Sequence, residues 1–483
     1  MVIDALKYQI LQQFGFVPTE EQGQALDAFA RFLTDRDPDA VMILRGSAGT
    51  GKTSLSGAIV RTLKAIRQKV MLLAPTGRAA KVFSLNSGCP AYTIHRRIYR
   101  EKSFAGVDGQ FNLNDNLFTD TLFMVDEASM ISNLGLGGGN FGSGCLLDDL
   151  VRFVYQGHND RLMLIGDKAQ LPPVGEEESP ALNRMMLEGY GLKVYECDLN
   201  EVLRQSQESG ILYNATVIRQ MITHDDITQL PLIRFKGFAD IVMMPGNELV
   251  ESLANSYYRV GQDETMVITR SNKRANIYNN GIRNMVLDRE EELSCGDMLM
   301  IVKNNYFWTE KERNEAKEAL NAIPPFLANG DRAKVLRVSR HMELYGFRFA
   351  TLLLQFPDYD NYEMSVTALL DTLQSEAPAL THEQQEQLFH GVEEDYQDVP
   401  LKADRMKAIR GDQYFNALQV KYAYAITCHK AQGGQWEHVY VDQGYMTDDM
   451  LTPDYIHWLY TAFTRAKDKL FLVNWPKTQT EQA

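Results

Sequence analysis

The sequence contains few cysteines, and their placement gives them no evident structural role. Five are present among 483 residues, widely scattered, and no two form a C-x-x-C pair. Disulfide frameworks and zinc ribbons both need closely spaced cysteines, so neither is expected. We therefore interpret the five thiols as buried or incidental.

Long apolar runs are also missing. No stretch reaches the ~18 uninterrupted apolar residues that a membrane-spanning helix needs. The first residues lack the basic-then-apolar order of a signal peptide. We expect a cytoplasmic protein that does not associate with membranes. Its composition, 45% apolar and 23% charged, is that of an ordinary globular chain, and its length suggests about three domains of ~150 residues.

The chain has fewer basic than acidic residues, which gives it a net charge of −14. That balance argues against nucleic-acid binding, which depends largely on Lys and Arg contacts to phosphates. The acidic residues, however, are unevenly distributed. Residues 358–400 hold eleven Asp or Glu and no Lys or Arg, which leaves only −3 of the −14 for the rest of the chain. A basic groove elsewhere is therefore compatible with the total.

Short apolar runs followed by glycine-rich turns or helical stretches indicate parallel strands joined by crossover helices. The first set comprises residues 41–44, 70–73, 122–125 and 162–165, and the second comprises residues 266–269, 423–426, 439–441 and 470–473. Between the members of the second set, a strand-and-turn texture indicates a small β-barrel, followed by an acidic segment that we predict to be helical. We expect an α/β fold with domains 1–205 and 206–290 plus 405–483, and an inserted domain 291–404.

A phosphate-binding loop is predicted directly after the first strand. The chain reads G-S-A-G-T-G-K-T there, which matches G-x-x-x-x-G-K-[ST] between a strand and a helix. Glycines allow backbone N–H groups to converge on phosphates, Lys52 reaches the terminal phosphates, and the Thr53 hydroxyl can hold Mg²⁺. The alternative is a flexible glycine turn. The predicted nucleotide-binding residues here are Gly46, Ser47, Ala48, Gly49, Thr50, Gly51, Lys52, Thr53 and Ser54.

Two further strand ends carry residues suited to phosphoryl transfer. Asp126 and Glu127 follow the apolar run 122–125, where one carboxylate can hold Mg²⁺ and its neighbour can orient the attacking water. Gln170 lies in a proline-rigidified loop after the run 162–165, where it can sense a γ-phosphate. Taken alone, the two acids could instead be solvent-facing residues at a helix start.

Arg204 and Arg465 are candidate cations for the charge that develops during phosphoryl transfer. Both are far from the phosphate-binding loop in sequence. A lone arginine is more often part of a surface ion pair. Arg465, however, precedes the last strand of the second set, so a cleft between two domains could bring it to the nucleotide.

Taken together, these motifs resemble those of superfamily 1 DNA helicases of the RecD/Dda type, the subgroup that moves 5′ to 3′. The resemblance covers both motor domains and implies RecA-like folds with an SH3-like barrel. It implies that Gln22 reads adenine, that Arg204 and Arg465 act as the fourth-motif and sixth-motif arginines, and that residues 425–433 form the fifth motif. Gly433 of that motif is a further predicted nucleotide contact. The ending Q-L-P-P-V after Lys168-Ala169 favours this subgroup.

The resemblance also implies DNA contacts. The predicted DNA-binding residues are Pro75, Thr76, Arg78, Thr93, His95, Arg96, Thr427, His429 and Lys430. Basic residues mixed with Tyr92 and Tyr99 suit single strands, although a solvated helix face is the alternative. The family's strand-separating pin corresponds to residues 102–116, with Phe104 or Phe111 as a possible tip.

The sequence therefore predicts an ATP- and Mg²⁺-dependent helicase that acts as a monomer on single-stranded and forked DNA, in DNA repair or recombination. One alternative is a helicase-like subunit of an ATP-dependent exonuclease complex, although no clustered carboxylate-lysine nuclease signature is found outside the ATPase motifs. Another alternative is a non-motor ATP switch. We expect the acidic segment to be a solvated decoration, or else to border the DNA channel.

Overall fold

The strands form two parallel sheets, a closed barrel and a two-stranded hairpin. The computed structural model describes residues 2–104, 109–135, 142–201, 208–224, 227–315, 323–324 and 326–481. Within these residues, no helix is both long and apolar enough to cross a membrane.

The first sheet contains six parallel strands. They are β1 (Ala40–Gly46), β2 (Lys69–Ala74), β3 (Ala91–Thr93), β6 (Thr121–Val125), β7 (Arg161–Gly166) and β8 (Lys193–Leu199), in the order β3-β2-β6-β7-β1-β8. β1, β6 and β7 are buried at every residue, because helices cover both faces of the sheet. All four predicted strands of the first set are confirmed. The two edge strands, β3 and β8, were not predicted.

Seven helices are present among the described residues of this part of the chain. They are α1 (Val2–Phe14), α2 (Glu20–Thr34), α3 (Lys52–Ala65), α4 (Gly77–Ser87), α5 (Ile94–Ile98), α6 (Leu146–Tyr155) and α7 (Arg184–Gly189). α1, α2 and α3 pack on one face of the sheet, and α5, α6 and α7 pack on the other. The carboxyl ends of the strands therefore form one free edge between the two helical layers, where ligands usually bind in such sheets.

The second sheet contains five parallel strands. They are β9 (Ile241–Met244), β10 (Thr265–Thr269), β16 (Ala425–Thr427), β17 (Trp436–Asp442) and β18 (Ala466–Val473), in the order β16-β10-β17-β18-β9. Its helices are α8 (Gly210–Thr223), α9 (Leu249–Arg259), α10 (Asn272–Gly281), α14 (Cys428–Ala431) and α15 (Pro453–Phe463). Each run of the predicted second set lies in or overlaps one of these strands. The α/β prediction with two parallel sheets is therefore confirmed.

The predicted barrel is also confirmed, and five strands close it. They are β11 (Met298–Ile301), β12 (Arg332–Leu344), β13 (Phe347–Phe356), β14 (Tyr362–Leu369) and β15 (Leu418–Tyr422), and its helices are α11 (Phe307–Glu315), α12 (His382–Asp395) and α13 (Lys402–Arg410). Neighbouring strands are antiparallel, except that β14 and β15 are parallel. The closing strand β15 lies beyond residue 404, the expected end of the inserted domain.

The acidic segment 358–400 is only partly helical, so that prediction is wrong for its first third. Its residues 362–369 form β14, whose side chains Met364, Val366 and Ala368 alternate into the barrel core. The one acidic residue of this strand, Glu363, is exposed, so the charge of the segment does not prevent it from forming a buried strand. Helix occurs in α12, which packs Leu388 and Val392 against Phe349 of the barrel.

A hairpin lies where the pin was predicted. Its strands are β4 (Tyr99–Phe104) and β5 (Gly109–Leu113), with Tyr99 opposite Leu113. The turn at 105–108 and the side chains of Phe104 and Phe111 lie outside the described residues. The same holds for residues 136–141 of the glycine-rich run that follows β6.

Candidate active site

The phosphate-binding loop joins β1 to α3 at the carboxyl edge of the first sheet. Gly49 and Gly51 have φ of 77° and 76°, a left-handed conformation that glycine adopts without steric cost. A Cβ atom at Gly46 would lie 3.0 Å from Thr50 Oγ1 and 3.3 Å from Leu199 Cβ, so a larger residue would fit tightly at this position. The loop therefore turns tightly enough to direct its backbone N–H groups toward the N-terminus of α3, where phosphates are favoured.

Lys52, Asp126 and Glu127 lie next to this loop. Lys52 Nζ donates to the carbonyl of Gly46 at 3.2 Å, and Asp126 Oδ1 accepts from the Glu127 N–H at 2.9 Å. Burial and the neighbouring Glu127 raise the pKa of Asp126, whereas Lys52 opposes the shift. Glu127 Oε2 is buried and has no hydrogen-bond partner. An unpaired buried acceptor is costly, so the site is suited to a bound water or cation.

Gln170 reaches the same region from the loop after β7. Asp167 Oδ1 accepts from the Ala169 N–H at 2.9 Å and fixes the start of this loop. Burial raises the pKa of Asp167, and Lys52 opposes the shift. The side chain of Gln170 is buried, and its Oε1 atom has no partner. The loop thus presents a second unpaired polar atom to the cleft.

These residues line a cleft of about 340 Å³ between the two sheets. Its lining residues are Ser47, Ala48, Gly49, Gly51, Lys52, Thr53, Asp126, Glu127, Asp167, Gln170, Ser209, Ile211, Leu212, Gln435, Thr464, Arg465, Ala466 and Lys467. The phosphate-binding loop and the predicted acids thus face residues of the second sheet and its helices. Sequence-distant motifs meet here because the carboxyl edge of one sheet faces the amino end of β18 in the other.

Arg465 is the predicted arginine that the structure brings into this cleft. Its side chain is 3% exposed. It donates from Nε to the Thr461 carbonyl at 3.0 Å and from its two terminal nitrogens to the Gly434 carbonyl at 3.2 Å and Thr464 Oγ1 at 3.1 Å. These neutral acceptors orient the guanidinium without neutralising its charge. Arg204, the other predicted arginine, lies outside the described residues.

Gln22 and Gly433 do not line the cleft. Gln22 completes a capping box with Thr19 at the start of α2, and its Nε2 donates to the Thr50 carbonyl at 2.9 Å. It therefore fastens α2 to the phosphate-binding loop. Gly433 has φ of 71°, and a Cβ there would lie 3.1 Å from Thr76 Oγ1 and 3.0 Å from Ala79 Cβ. Gly433 therefore packs on α4, next to the predicted DNA contacts.

The predicted DNA contacts at 75–78 lie at the boundary between the two sheets. Thr76 Oγ1 caps α4 by accepting from the Ala79 N–H at 3.2 Å, and Pro75 precedes it in the loop after β2. The Arg78 guanidinium lies 4.4 Å from the centre of the Trp436 ring and donates to the Gln435 carbonyl at 2.7 Å. Arg78 thus connects α4 to the start of β17.

The fifth-motif residues lie beside this group. Thr427 ends β16, and His429 and Lys430 follow on α14. Burial lowers the pKa of both His429 and Lys430. Lys430 lines a small cavity of about 30 Å³ together with Thr76 and Arg78. Two of the predicted DNA-binding segments, one from each sheet, therefore meet at one place.

The third predicted DNA-binding segment lies around α5. Thr93 precedes the helix, and its Oγ1 is buried without a partner. The exposed Arg96 places its guanidinium 5.2 Å from the centre of the Tyr92 ring. Burial lowers the pKa of His95 to about 4, so the imidazole is neutral at pH 7. His95 therefore brings no positive charge to this segment, whereas Arg96 does.

Sequence reasoning missed two side chains that join the second sheet to the phosphate-binding loop. The Tyr460 hydroxyl on α15 accepts from the Ala48 N–H at 3.0 Å and donates to Asp167 Oδ2 at 2.6 Å. Arg219 on α8 donates to Ser47 Oγ. Both contacts join residues more than 170 positions apart in the chain, and no local spacing indicates them. The proximity of Tyr460 to Arg465 in sequence was the one available signal.

Two protein-family models match the chain. The model described as an AAA domain matches residues 19–220, and the model described as a UvrD-like helicase C-terminal domain matches residues 422–473. The first match contains the phosphate-binding loop, Asp126, Glu127 and Gln170. The second contains the fifth-motif segment and Arg465. The two matches thus cover both walls of the cleft.

Two curated proteins match segments of this chain. A 157-residue segment is 30% identical to the ATP-dependent RecD2 DNA helicase of Deinococcus radiodurans, covering 32% of this chain and 18% of that protein. A 171-residue segment is 33% identical to the uncharacterized protein MJ1519 of Methanocaldococcus jannaschii, covering 33% and 14% respectively. The chain therefore spans less than a fifth of the length of these relatives.

Among solved structures, a Pif1 helicase from Bacteroides in complex with ADP-AlF3 and ssDNA aligns with 97% of this chain and 95% of its own. The identity is 14% and the TM-score is 0.46.

Proposed function

We propose that this chain is a superfamily 1 helicase of the RecD type, which couples ATP hydrolysis to 5′-to-3′ movement along single-stranded DNA and separates duplex DNA. The observation that carries the proposal is the cleft, in which the phosphate-binding loop and the carboxylates of Asp126 and Glu127 face Arg465 from the other sheet. A site divided between two units can close on nucleotide and reopen after hydrolysis.

The three-part organisation suits such a motor. We propose residues 1–205 as one motor domain and residues 206–290 with 405–483 as the other, with the barrel domain inserted at 291–404 and completed by β15. Closure of one motor domain on the other then changes the position of the DNA contacts that each of them carries.

The residues of the cleft fit ATP with Mg²⁺. Lys52 would contact the terminal phosphates, while Thr53 and Asp126 would hold the metal, which neutralises phosphate charge when bound. Among the described residues, no group of three or more His, Cys, Asp and Glu side chains could hold a metal by itself. That fits Mg²⁺, which usually takes one or two carboxylates and completes its shell with waters and phosphate oxygens.

Hydrolysis requires an oriented water and cations placed against developing charge. The buried, unpaired Oε2 of Glu127 suits the first task, and Gln170 contributes a further unpaired atom next to it. Arg465 suits the second task because its guanidinium is held in place by neutral acceptors. We assign Arg204 to the same task on the strength of its motif.

The DNA strand is proposed to cross the boundary between the two sheets. There the first turn of α4 offers backbone N–H groups, and Arg78 and Lys430 offer cations. Arg96 on Tyr92 provides a surface on which bases can stack, and the hairpin β4–β5 would separate the strands. The segment shared with RecD2, which is described as an ATP-dependent DNA helicase, supports DNA as the partner. We extend the proposal to single-stranded and forked DNA and to a monomeric motor.

The test measures ATP hydrolysis with and without single-stranded DNA for the parent, Lys52→Ala and Glu127→Gln. Both variants should lose turnover, and Glu127→Gln should still bind ATP. Lys64→Ala, which changes an exposed lysine on the same helix α3, serves as the matched control and should keep the parent rate. Forked DNA with either a 5′ or a 3′ tail then tests direction, and only the 5′ tail should support unwinding.

Other outcomes would favour the alternatives. Parent-like hydrolysis by Lys52→Ala would show that the cleft is not the ATPase site. Hydrolysis that DNA does not stimulate would favour a non-motor ATP switch. Metal-dependent digestion of DNA by the parent would favour an exonuclease subunit, and unwinding from a 3′ tail alone would refute the proposed direction.

A further inference from the structure

Tyr460 joins the two sides of the cleft through a single atom. Its hydroxyl accepts from the Ala48 N–H of the phosphate-binding loop at 3.0 Å and donates to Asp167 Oδ2 at 2.6 Å. The side chain is 1% exposed, so water does not compete for these bonds. Both partners belong to the first sheet's unit, whereas Tyr460 belongs to α15 of the second. The hydroxyl therefore connects two units that the proposed cycle moves relative to each other.

The neighbouring contacts extend the same connection. The Leu171 N–H donates to Thr461 Oγ1 at 2.7 Å, and Gln432 Nε2 donates to the Leu171 carbonyl at 2.7 Å. His457 Nδ1 lies 2.9 Å from the carbonyl oxygen of Ala169. The loop 167–171, which carries Gln170, is thus fastened to α15 and to Gln432 at every second residue, namely Asp167, Ala169 and Leu171. A shift of this loop relative to α15 has to break several buried hydrogen bonds.

Arg465 is attached to the same helix. Its Nε donates to the carbonyl of Thr461, the residue that directly follows Tyr460. The position of Arg465 relative to the phosphate-binding loop is therefore set by how α15 is held against that loop. Loss of the Tyr460 hydroxyl would leave the Ala48 N–H and the Asp167 carboxylate without that partner in a dry site, which is costly.

We infer that Tyr460 is a positioning residue for ATP hydrolysis, whose hydroxyl holds α15 and Arg465 in register with the phosphate-binding loop. The inference rests on the proposed function and adds to it a residue outside the predicted site. Tyr460 acts through Arg465, because its hydroxyl is already occupied by Ala48 and Asp167. It contributes to turnover by fixing geometry, and a 1 Å error in such geometry is enough to slow a reaction strongly.

The first experiment compares Tyr460→Phe with Tyr455→Phe. Tyr455 is the matched control: it lies on the same helix, is 2% exposed, and its hydroxyl donates to Gln443 within the second sheet's unit. With saturating single-stranded DNA, Tyr460→Phe should lower kcat roughly tenfold or more while KM for ATP changes less than about twofold, as expected for the loss of a buried hydrogen bond that acts on turnover. Tyr455→Phe should keep both values.

The second experiment is a double-mutant cycle with Arg465→Ala. If Tyr460 acts by positioning Arg465, Tyr460→Phe should cost little further turnover once the guanidinium is gone. Thr461→Val, which removes the bond from the Leu171 N–H with little change in shape, should lower kcat in the same direction. Nucleotide titration and thermal denaturation confirm that each variant is folded, so turnover is expressed per folded molecule.

Three results would overturn the inference. One is an unchanged kcat in Tyr460→Phe, the second is a rise in KM alone, and the third is an equal fold-loss with and without Arg465. A parent protein without ATPase activity would overturn the proposed function together with this inference. If the parent is active but the losses of turnover from Tyr460→Phe and Arg465→Ala are additive, only the role of Tyr460 is overturned.

Discussion

Replacing Arg465 by Ala should reduce turnover far more than nucleotide affinity. The guanidinium contacts three neutral acceptors of its own unit and lines the cleft opposite the phosphate-binding loop. An arginine that stabilises transition-state charge is typically worth ~10³ or more in rate, about 4 kcal/mol of barrier. The three lost hydrogen bonds, at about 1 kcal/mol each, would lower the free energy of unfolding by roughly 3 kcal/mol. Both effects are large enough to measure separately.

The assay combines three measurements on each variant: ATP turnover with single-stranded DNA, titration with a fluorescent nucleotide, and thermal denaturation. Arg465→Lys keeps the charge but loses the planar fork, so its turnover should lie between those of the parent and the Ala variant. Arg283 supplies a control for stability, because it is also 3% exposed but is held by Asp297 outside the cleft. Arg283→Ala should lower stability and leave turnover per folded molecule unchanged.

Two results would refute this account of Arg465. Equal losses of nucleotide affinity and turnover would indicate a ground-state contact instead of transition-state stabilisation. If Arg465→Ala lost no more turnover than Arg283→Ala, Arg465 would contribute to stability alone.

Three further predictions concern other parts of the molecule. Burial raises the pKa of Asp331 to about 7, above its unfolded value of about 3.9. The free energy of unfolding therefore falls as the pH rises through that interval. In thermal denaturation, Asp331→Asn should raise Tm at pH 8 and raise it less at pH 5. Gln22→Ala, which removes the bond to the Thr50 carbonyl, should raise KM for ATP roughly fivefold in steady-state kinetics. Glu383, Glu386 and Glu394 are exposed on α12, which we expect to be remote from DNA. Replacing all three by Gln should therefore leave the affinity for duplex DNA unchanged at two salt concentrations.

The phosphate-binding loop could be predicted in detail because its determinants are local. Gly49 and Gly51 supply the left-handed turns, and Lys52 follows in the first helical turn. Asp126 and Gln170 could be placed near it because the carboxyl ends of parallel strands meet at one edge of a sheet. The two domain matches, to an AAA domain and to a UvrD-like helicase C-terminal domain, agree with the helicase family predicted from these motifs.

Contacts across the cleft could not be predicted in the same way. Tyr460 and Asp167 are separated by 293 positions, and nothing in either local pattern indicates that they meet. The barrel strand β15 was missed for a different reason. Its polar residues Gln419 and Lys421 are buried and interrupt the continuous apolar run by which the strands of the two sheets were recognised.

Strand β14 shows how net charge can conceal a periodic pattern. The excess of acids over 358–400 suggested a solvated helix, yet Met364, Val366 and Ala368 occur at every second position and are buried. An alternation of this kind indicates a half-buried strand. Excision of the whole acidic segment would therefore remove one strand of a closed barrel. Substitutions on α12 are the better test of the acidic residues because they leave the barrel intact.

The placement of basic residues reconciles the net charge of −14 with the proposed DNA binding. Burial and the nearby Arg78 lower the pKa of Arg332 to about 10, and burial and the nearby Lys430 lower the pKa of Lys421 to about 8. These cations repel one another at the boundary between the sheets and the barrel, and each is costly to keep charged there. A phosphate backbone bound at this boundary would offset that repulsion. The affinity for single strands should therefore fall steeply with salt, even though the protein as a whole is acidic.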